Sequence, residues 1–439
     1  MDCRSRSYLH TATEISGFKM FCLRKELELG IKTCGLELPS KVQQECIPQA
    51  CSGLDVLCQA MSGVGKTLIY IIATLNQVSS ETDDVEALVL CPTRELAQQV
   101  GEQFKRVAEF LPNIAIESFF GGLSVSRDEQ ILLERPPQIV IGTPGRILQL
   151  VKRKALKLGN VKQFVIDECD EIFQFLSMRS TVQEIFVSTP QDKQVMMFSA
   201  TIPGDIKIIC KKFMQNPFDY IMQDDEISLK RLNQSYVCTE YSKRIKTLLA
   251  FIEGLKFNQA IVFVSNSKRC EVLAHVLQKL KHSVLSIHNG LPQMERMSRF
   301  KEFMEGEKQI LITTNLFSRG INNPRIELVI NYDTPNTPIN YLHRASRLMA
   351  LDGRGMVLTF LCGEKDANML TDVQEQFDVT ISKVEEQDIV SKDLHEDRNE
   401  CTQAKGIPNL ENKEKLQAMQ WAEDTMNRLC DEFENTSFV

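Results

Sequence analysis
Two successive sets of short, β-rich apolar runs, with helical stretches between them, constrain this chain more than any other feature. The first set lies at residues 55–60, 87–91, 138–141, 163–166 and 194–198; the second lies at 258–264, 283–287, 309–313, 326–331 and 355–361. Runs of this kind read as buried strands, and strands alternating with helices imply parallel sheets covered by helices. Two such sets imply two domains, and 439 residues are too many for one ordinary core. Between the sets, 223–232 is polar and charged, with Asp224, Asp225 and Glu226, and reads as a linker. The expected layout is an extension at 1–16, a first domain at 17–222, the linker, a second domain at 233–390 and a tail at 391–439.

Composition narrows the functional classes. Apolar residues make up 43% and charged residues 25%, the balance of a soluble globular protein. The longest apolar stretch, 68–75, is too short to span a bilayer, so no membrane association is expected. The opening MDCRSRSYLH has no apolar stretch behind its arginines, so no secretory signal is expected. The 14 cysteines show no CxxC pair or other metal spacing, which suits a reducing compartment. The net charge is −7, but residues 385–439 hold 14 acids against 6 bases, a net of −8, which leaves +1 for the rest. A neutral core can hold a local basic groove, although charge alone does not predict one. Within the tail, 412–433 has helical periodicity through Leu416, Met419, Ala422, Met426 and Leu429. That stretch is either a packed or partner-binding helix or a solvated helix beside disordered acidic sequence.

The segment AMSGVGKT comprises Ala60, Met61, Ser62, Gly63, Val64, Gly65, Lys66 and Thr67; it follows an expected strand and opens an expected helix. In that context its glycines let backbone amides close around phosphate oxygens, and the helix N-terminus adds its positive end. Lys66 can reach the terminal phosphates of ATP, and the Thr67 hydroxyl can ligate Mg²⁺. About one hundred residues on, FVIDECD places Asp167 and Glu168 at a strand end. Asp167 would hold Mg²⁺ through its water shell, and Glu168 would orient and deprotonate the attacking water.

With these motifs the chain resembles the DEAD-box RNA helicases. PTRELAQQ (92–99), GG (121–122), TPGR (143–146), DECD (167–170) and SAT (199–201) follow the phosphate loop in family order. IVFVSN (261–266), HNG (288–290), TTNLFSRG (313–320), NYDTP (331–335) and YLHRASR (341–347) follow in the second half. DECD in place of DEAD resembles the nuclear mRNA-export and splicing helicases of the TREX complex. The resemblance implies an α/β fold of two tandem RecA-like domains, each a parallel sheet flanked by helices, with the acidic tail appended. It implies that Gln43 reads adenine and that Phe18 either packs on the base or is a core residue. Gly320 and Asn322 would join the ATP site. Pro92, Thr93, Arg94, Gly122, Thr143, Gly145 and Arg146 would touch RNA phosphates in the first domain, and Asn289, Gly290, Arg296, Thr314 and Asn315 in the second. Such contacts go mainly to backbone, so sequence preference should be weak. Ser199, Thr201 and His343 would couple the domains, and Arg344 and Arg347 would act in catalysis. A monomer acting with RNA and TREX-like partners in the nucleus, or in both nucleus and cytoplasm, is expected.

The sequence also departs from that family. Asn322 stands where an aspartate is usual, and Asn289 where the subgroup has arginine. The family's HRxxRxGR becomes His343-Arg344-Ala345-Ser346-Arg347-Leu348-Met349-Ala350, so the last arginine is lost. An arginine finger is worth about 10³ to 10⁵ in turnover. Two readings follow: an RNA-dependent ATPase that remodels RNA and RNA–protein complexes, or an ATP-dependent RNA clamp with weak hydrolysis that competes with an active helicase. A DNA helicase or other phosphate-loop ATPase is disfavoured by Gln43 and DECD.

Overall fold
The structure, a computed structural model, describes residues 17–222, 228–317, 323–351, 355–384 and 421. The first lobe contains β1 (Val56–Gln59), β2 (Ala87–Leu90), β3 (Ile116–Phe119), β4 (Ile139–Gly142), β5 (Gln163–Asp167), β6 (Gln194–Ser199) and β7 (Phe218–Ile221). They form one parallel sheet in the order β3-β4-β2-β5-β6-β1-β7. The second lobe contains β8 (Asn233–Cys238), β9 (Gln259–Phe263), β10 (Val284–Ile287), β11 (Ile310–Thr313), β12 (Ile326–Asn331), β13 (Met356–Leu361) and β14 (Ser382–Lys383). These form a second parallel sheet, ordered β10-β11-β9-β12-β13-β8-β14. The two RecA-like α/β units expected from the sequence are therefore present.

Side chains alternate across each sheet because successive strand residues face opposite ways. In β2, Ala87 and Val89 enter one apolar cluster while Leu88 and Leu90 enter another, and all four are fully buried. In β12, Leu328 and Ile330 face one cluster, and Ile326 and Val329 the other. Both faces are covered, which is why these runs are apolar throughout rather than alternating. Each buried aliphatic side chain stabilises its lobe by roughly 1.5–3 kcal/mol.

All ten expected strands form, and four more join them. β3 has Glu117 and Ser118 at its centre, and β7 and β14 are sheet edges. β8, NQSYVC, lies between β13 and β14 despite its polar residues. Pairing supplied by neighbours, rather than strand propensity, holds these segments. Of the expected linker, the 3₁₀ turn Ser228–Arg231 is described, and its Leu229 is fully buried in the second lobe's apolar cluster. The expected tail helix at 412–433 lies outside the described residues except for Trp421. Among the described residues, no helix is long and apolar enough to cross a membrane.

Parallel register sets up the site. β5, β6 and β1 are neighbours, with Asp167 level with Phe198, and Gln59 level with Ser199. The carboxyl ends of the three strands thus deliver the phosphate loop, DECD and SAT to one edge, where parallel α/β sheets bind ligands. In the second sheet, Ile287, Thr313, Phe263 and Asn331 likewise form one row.

Candidate functional site
The phosphate loop turns through Gly63 (φ +87°) and Gly65 (φ +90°), backbone conformations that residues with a Cβ rarely adopt. A Cβ on Gly65 would come within 2.1 Å of the Gln43 amide nitrogen. That amide donates to Gly65 O at 3.1 Å, its oxygen accepts from Ser40 N at 2.9 Å, and the Ser40 hydroxyl donates to Val64 O at 2.7 Å. Gln43 therefore braces the loop. Helix Lys66–Gln77 follows, with buried Lys66 donating to Ala60 O at 2.6 Å and Met61 O at 3.1 Å. The Ser62 hydroxyl is buried without a protein partner among the described residues, and Met61 packs into the second lobe's apolar cluster. A cavity of about 710 Å³ opens here, lined by Ser62 through Thr67, by Gln43, Leu36, Leu38, Asp167 and Glu168, and by Pro324, Ser346 and Arg347 of the second lobe. Phe18 does not line it; it is 6% exposed, in the first-lobe core, edge-on to Phe21. Of its two readings, the core one matches this placement.

Glu168 is held at φ +49°, a strained conformation for a residue with a side chain, and it starts the short helix Cys169–Gln174. Asp167 accepts from Tyr70 Oη at 2.8 Å and from Glu168 N at 3.0 Å. Burial, then the adjacent Glu168 charge, pushes the Asp167 carboxyl up to about 7. A bound divalent cation would reverse that preference by favouring the carboxylate. Thr67 and Asp167 are hard oxygen donors that could hold Mg²⁺. Among the described residues no group of three or more His, Cys, Asp or Glu side chains could hold a metal, and a Mg²⁺ ion bound here would complete its shell with water and phosphate oxygens.

Asp170, the last letter of DECD, links the lobes. It accepts from Ser199 Oγ at 2.7 Å and from Thr201 Oγ1 at 2.8 Å, and lies 3.6 Å from His343 Nε2 of the second lobe. All three expected coupling residues thus converge on one carboxylate that sequence reasoning did not single out. Tyr70 was missed as well, because it sits in the most apolar helix among the described residues. Its signal is its position four residues after Lys66, on the same helix face.

Several expected site residues are held by partners within the protein. Arg344, expected in catalysis, is 2% exposed and donates to Asn331 Oδ1, Asp333 O and Asn315 Oδ1. It aims Asn315 rather than facing the cavity, and burial, opposed by Asp333, lowers its pKa to about 9. Arg347 does line the cavity, and its Nη2 donates to Ser346 Oγ at 2.9 Å. Arg146, expected on the RNA track, is buried, paired with Asp128, and bonded to Leu123 O at 2.6 Å. Arg296, likewise expected there, is buried in an ion pair with Glu95 across the lobes. Desolvation demands a partner for each of these guanidinium groups, and the closed fold provides one inside the protein. Gly320 and Asn322, and the side chains of Met349 and Ala350, lie outside the described residues.

The remaining track residues stay accessible. Gly122, Gly145, Asn289, Gly290 and Asn315 are exposed, and Pro92, Thr93, Arg94, Thr143 and Thr314 are half-buried. Thr93 and Thr143 stand at the N-termini of helices Arg94–Val107 and Pro144–Lys152, where backbone amides attract phosphate. Arg94 donates to Gln293 Oε1 of the second lobe at 3.0 Å. Gly122 (φ +89°) has room only for hydrogen, since a Cβ would lie 2.5 Å from Arg94 and 2.8 Å from Gln293.

Glu95 and Gln293, also missed in the sequence, complete this seam, with Gln293 Nε2 donating to Glu95 Oε1 at 3.3 Å. Glu95→Ala would leave Arg296 buried without its charge partner only when the lobes are together. Removing one member of a buried pair costs about 3–5 kcal/mol. The variant is therefore expected to bind labelled single-stranded RNA at least ~10²-fold more weakly in the presence of a non-hydrolysable ATP analogue. Unchanged anisotropy titrations would show that the pair does not stabilise the closed state.

Comparison with known proteins follows the same division of the chain. A family described as "DEAD/DEAH box helicase" matches residues 40–209, and "Helicase conserved C-terminal domain" matches 242–350. Human ATP-dependent RNA helicase DDX39A is 44% identical over 384 residues, covering 87% of this chain and 90% of that protein. Drosophila melanogaster ATP-dependent RNA helicase WM6 is 44% identical over 374 residues, covering 85% and 88%. The solved structure of Saccharomyces cerevisiae Dbp5 bound to RNA and ADP BeF3 superposes with a TM-score of 0.80 at 29% identity, over 85% of this chain and 96% of that one.

Proposed function
This chain belongs to the DEAD-box RNA helicases, and we propose that it clamps single-stranded RNA between its lobes in an ATP-dependent manner, with a hydrolysis step slower than the family's. The observation that carries this is the shared cavity, with the phosphate loop and DECD on one wall and Arg347 on the other. ATP bound there gives both lobes something to hold. Lys66 leaves its loop carbonyls for the terminal phosphates, and Glu168 takes a proton from the attacking water. Thr67 and Asp167 would hold a Mg²⁺ ion, which would supply charge neutralisation to the phosphates when bound. Arg347 stabilises charge on the γ-phosphoryl group as it departs. Asp170, joined to Ser199, Thr201 and His343, carries the nucleotide state across the interface. RNA phosphates lie along the helix N-termini at Thr93 and Thr143 and continue over Asn289, Gly290, Thr314 and Asn315. The likeness to a neighbour bound to RNA and ADP BeF3 supports this path.

Ala350 supports the slow step, since no guanidinium stands where the family has its second finger. A clamp with weak turnover holds RNA longer per ATP, because hydrolysis reopens the lobes. The DECD resemblance supports work in the nucleus on mRNA export and splicing, with TREX-like partners.

Steady-state ATP hydrolysis with and without single-stranded RNA tests the reading. Met349→Gly with Ala350→Arg is expected to raise RNA-stimulated turnover by at least ~10-fold, about 1.4 kcal/mol of barrier. If the parent already turns over as fast as the double variant, the slow-clamp reading fails.

A further inference from the structure
The nucleotide and RNA sites leave the outer face of the second-lobe helix Ser267–Lys279 without a role. Its Cys270, Leu273, Ala274, Val276 and Leu277 bury against the sheet, while Lys268, Glu271, His275 and Lys279 are exposed. Lys268, His275 and Lys279, at spacings of seven and four, share one side of the helix. Trp421 sits on that side. Its ring is 5.4 Å from the His275 ring, edge to face, and Lys279 Nζ is 4.9 Å from its centroid. It is the one tryptophan of the chain, and it comes from the segment 385–439, which carries a net charge of −8.

We propose that this acidic tail is an intramolecular ligand of the second lobe, docked through Trp421 on the His275–Lys279 face. Two independent features support the pairing. The ring offers its π face to an ammonium, and the charges of the tail and the two lysines are opposite. Covalent attachment raises the tail's effective concentration to the order of millimolar, so an intrinsic Kd of about 1 mM, reached by the ring contacts and the charge pairing together, half-populates the docked state. The site adjoins the RNA track: Glu271, one turn before His275, lies 3.1 Å from His288, the residue preceding Asn289 and Gly290.

Because Trp421 is the sole tryptophan, its emission in the full-length protein reports docking directly. His275→Ala with Lys279→Ala is expected to red-shift that emission. It should also raise the acrylamide quenching constant roughly twofold or more, matching the two- to fivefold population change that an exposed cation–π contact commands. Both side chains are exposed and lie away from the cavity, so ATP affinity and far-ultraviolet circular dichroism should not change. About 0.5 M sodium chloride should loosen the parent in the same direction, by screening the charge pairing. Identical quenching in parent and double variant would overturn the proposal. So would a difference that grows with protein concentration, which would mean that Trp421 docks on a second copy.

Discussion
The Lys66→Ala variant is expected to lose ATP-dependent RNA binding. Lys66 is buried at the mouth of helix Lys66–Gln77, with Gly63 and Gly65 shaping the loop before it. Its ammonium bonds to Ala60 O and Met61 O and needs only a short movement to reach a phosphate. Two charge-assisted hydrogen bonds to phosphate contribute roughly 3–6 kcal/mol together, so ATP affinity should fall by about 10² to 10⁴. Since ATP draws the lobes together, RNA affinity in a non-hydrolysable analogue should fall to the nucleotide-free level. Fluorescence anisotropy of labelled single-stranded RNA measures this. A variant that binds RNA as tightly as the parent, with the same nucleotide dependence, would remove Lys66 from the site. A melting temperature close to the parent's would separate lost phosphate binding from a loop disturbed by the unmatched carbonyls.

Glu168→Gln should remove nearly all remaining hydrolysis while sparing binding. The residue keeps its strained φ of +49° at the strand end, so its carboxylate is placed by the backbone. Glutamine fills the same space but cannot accept a proton near neutral pH, and general-base catalysis is worth about 10² to 10⁴. ATP and RNA affinities should stay within about threefold of the parent, since neither depends on the proton transfer. Equal turnover in variant and parent would exclude Glu168 as the base.

The two predictions differ in how far the sequence alone supports them. Lys66, Asp167 and Glu168 were legible because a phosphate loop and an acidic strand end are local patterns: a few adjacent residues carry the geometry. Gln43 was legible as a site residue, but its brace on Gly65 was not, because that distance depends on how helix Lys41–Cys51 packs under the loop. The arginines were the least legible. Arg146 and Arg296 were expected on the RNA track and Arg344 in catalysis, yet each is buried against a protein acceptor. A guanidinium has the same five donors whether it meets RNA or Glu95, and only tertiary burial chooses between them. Asp170 and Glu95 were overlooked for the complementary reason: their partners lie 173 and 201 positions away, at His343 and Arg296.

By itself, the sequence determined two parallel α/β lobes, because runs apolar on both faces can only be buried between helices. It also determined the phosphate chemistry of the first lobe, because the loop, its lysine and the paired acids are written contiguously. The tertiary structure decided which strands complete each sheet, since β8 and the edge strands hold through neighbours rather than propensity. It also decided which charged groups face ligand and which face each other. Those choices follow from distances between residues remote in sequence and from the desolvation that closure imposes, and neither exists until the two lobes meet.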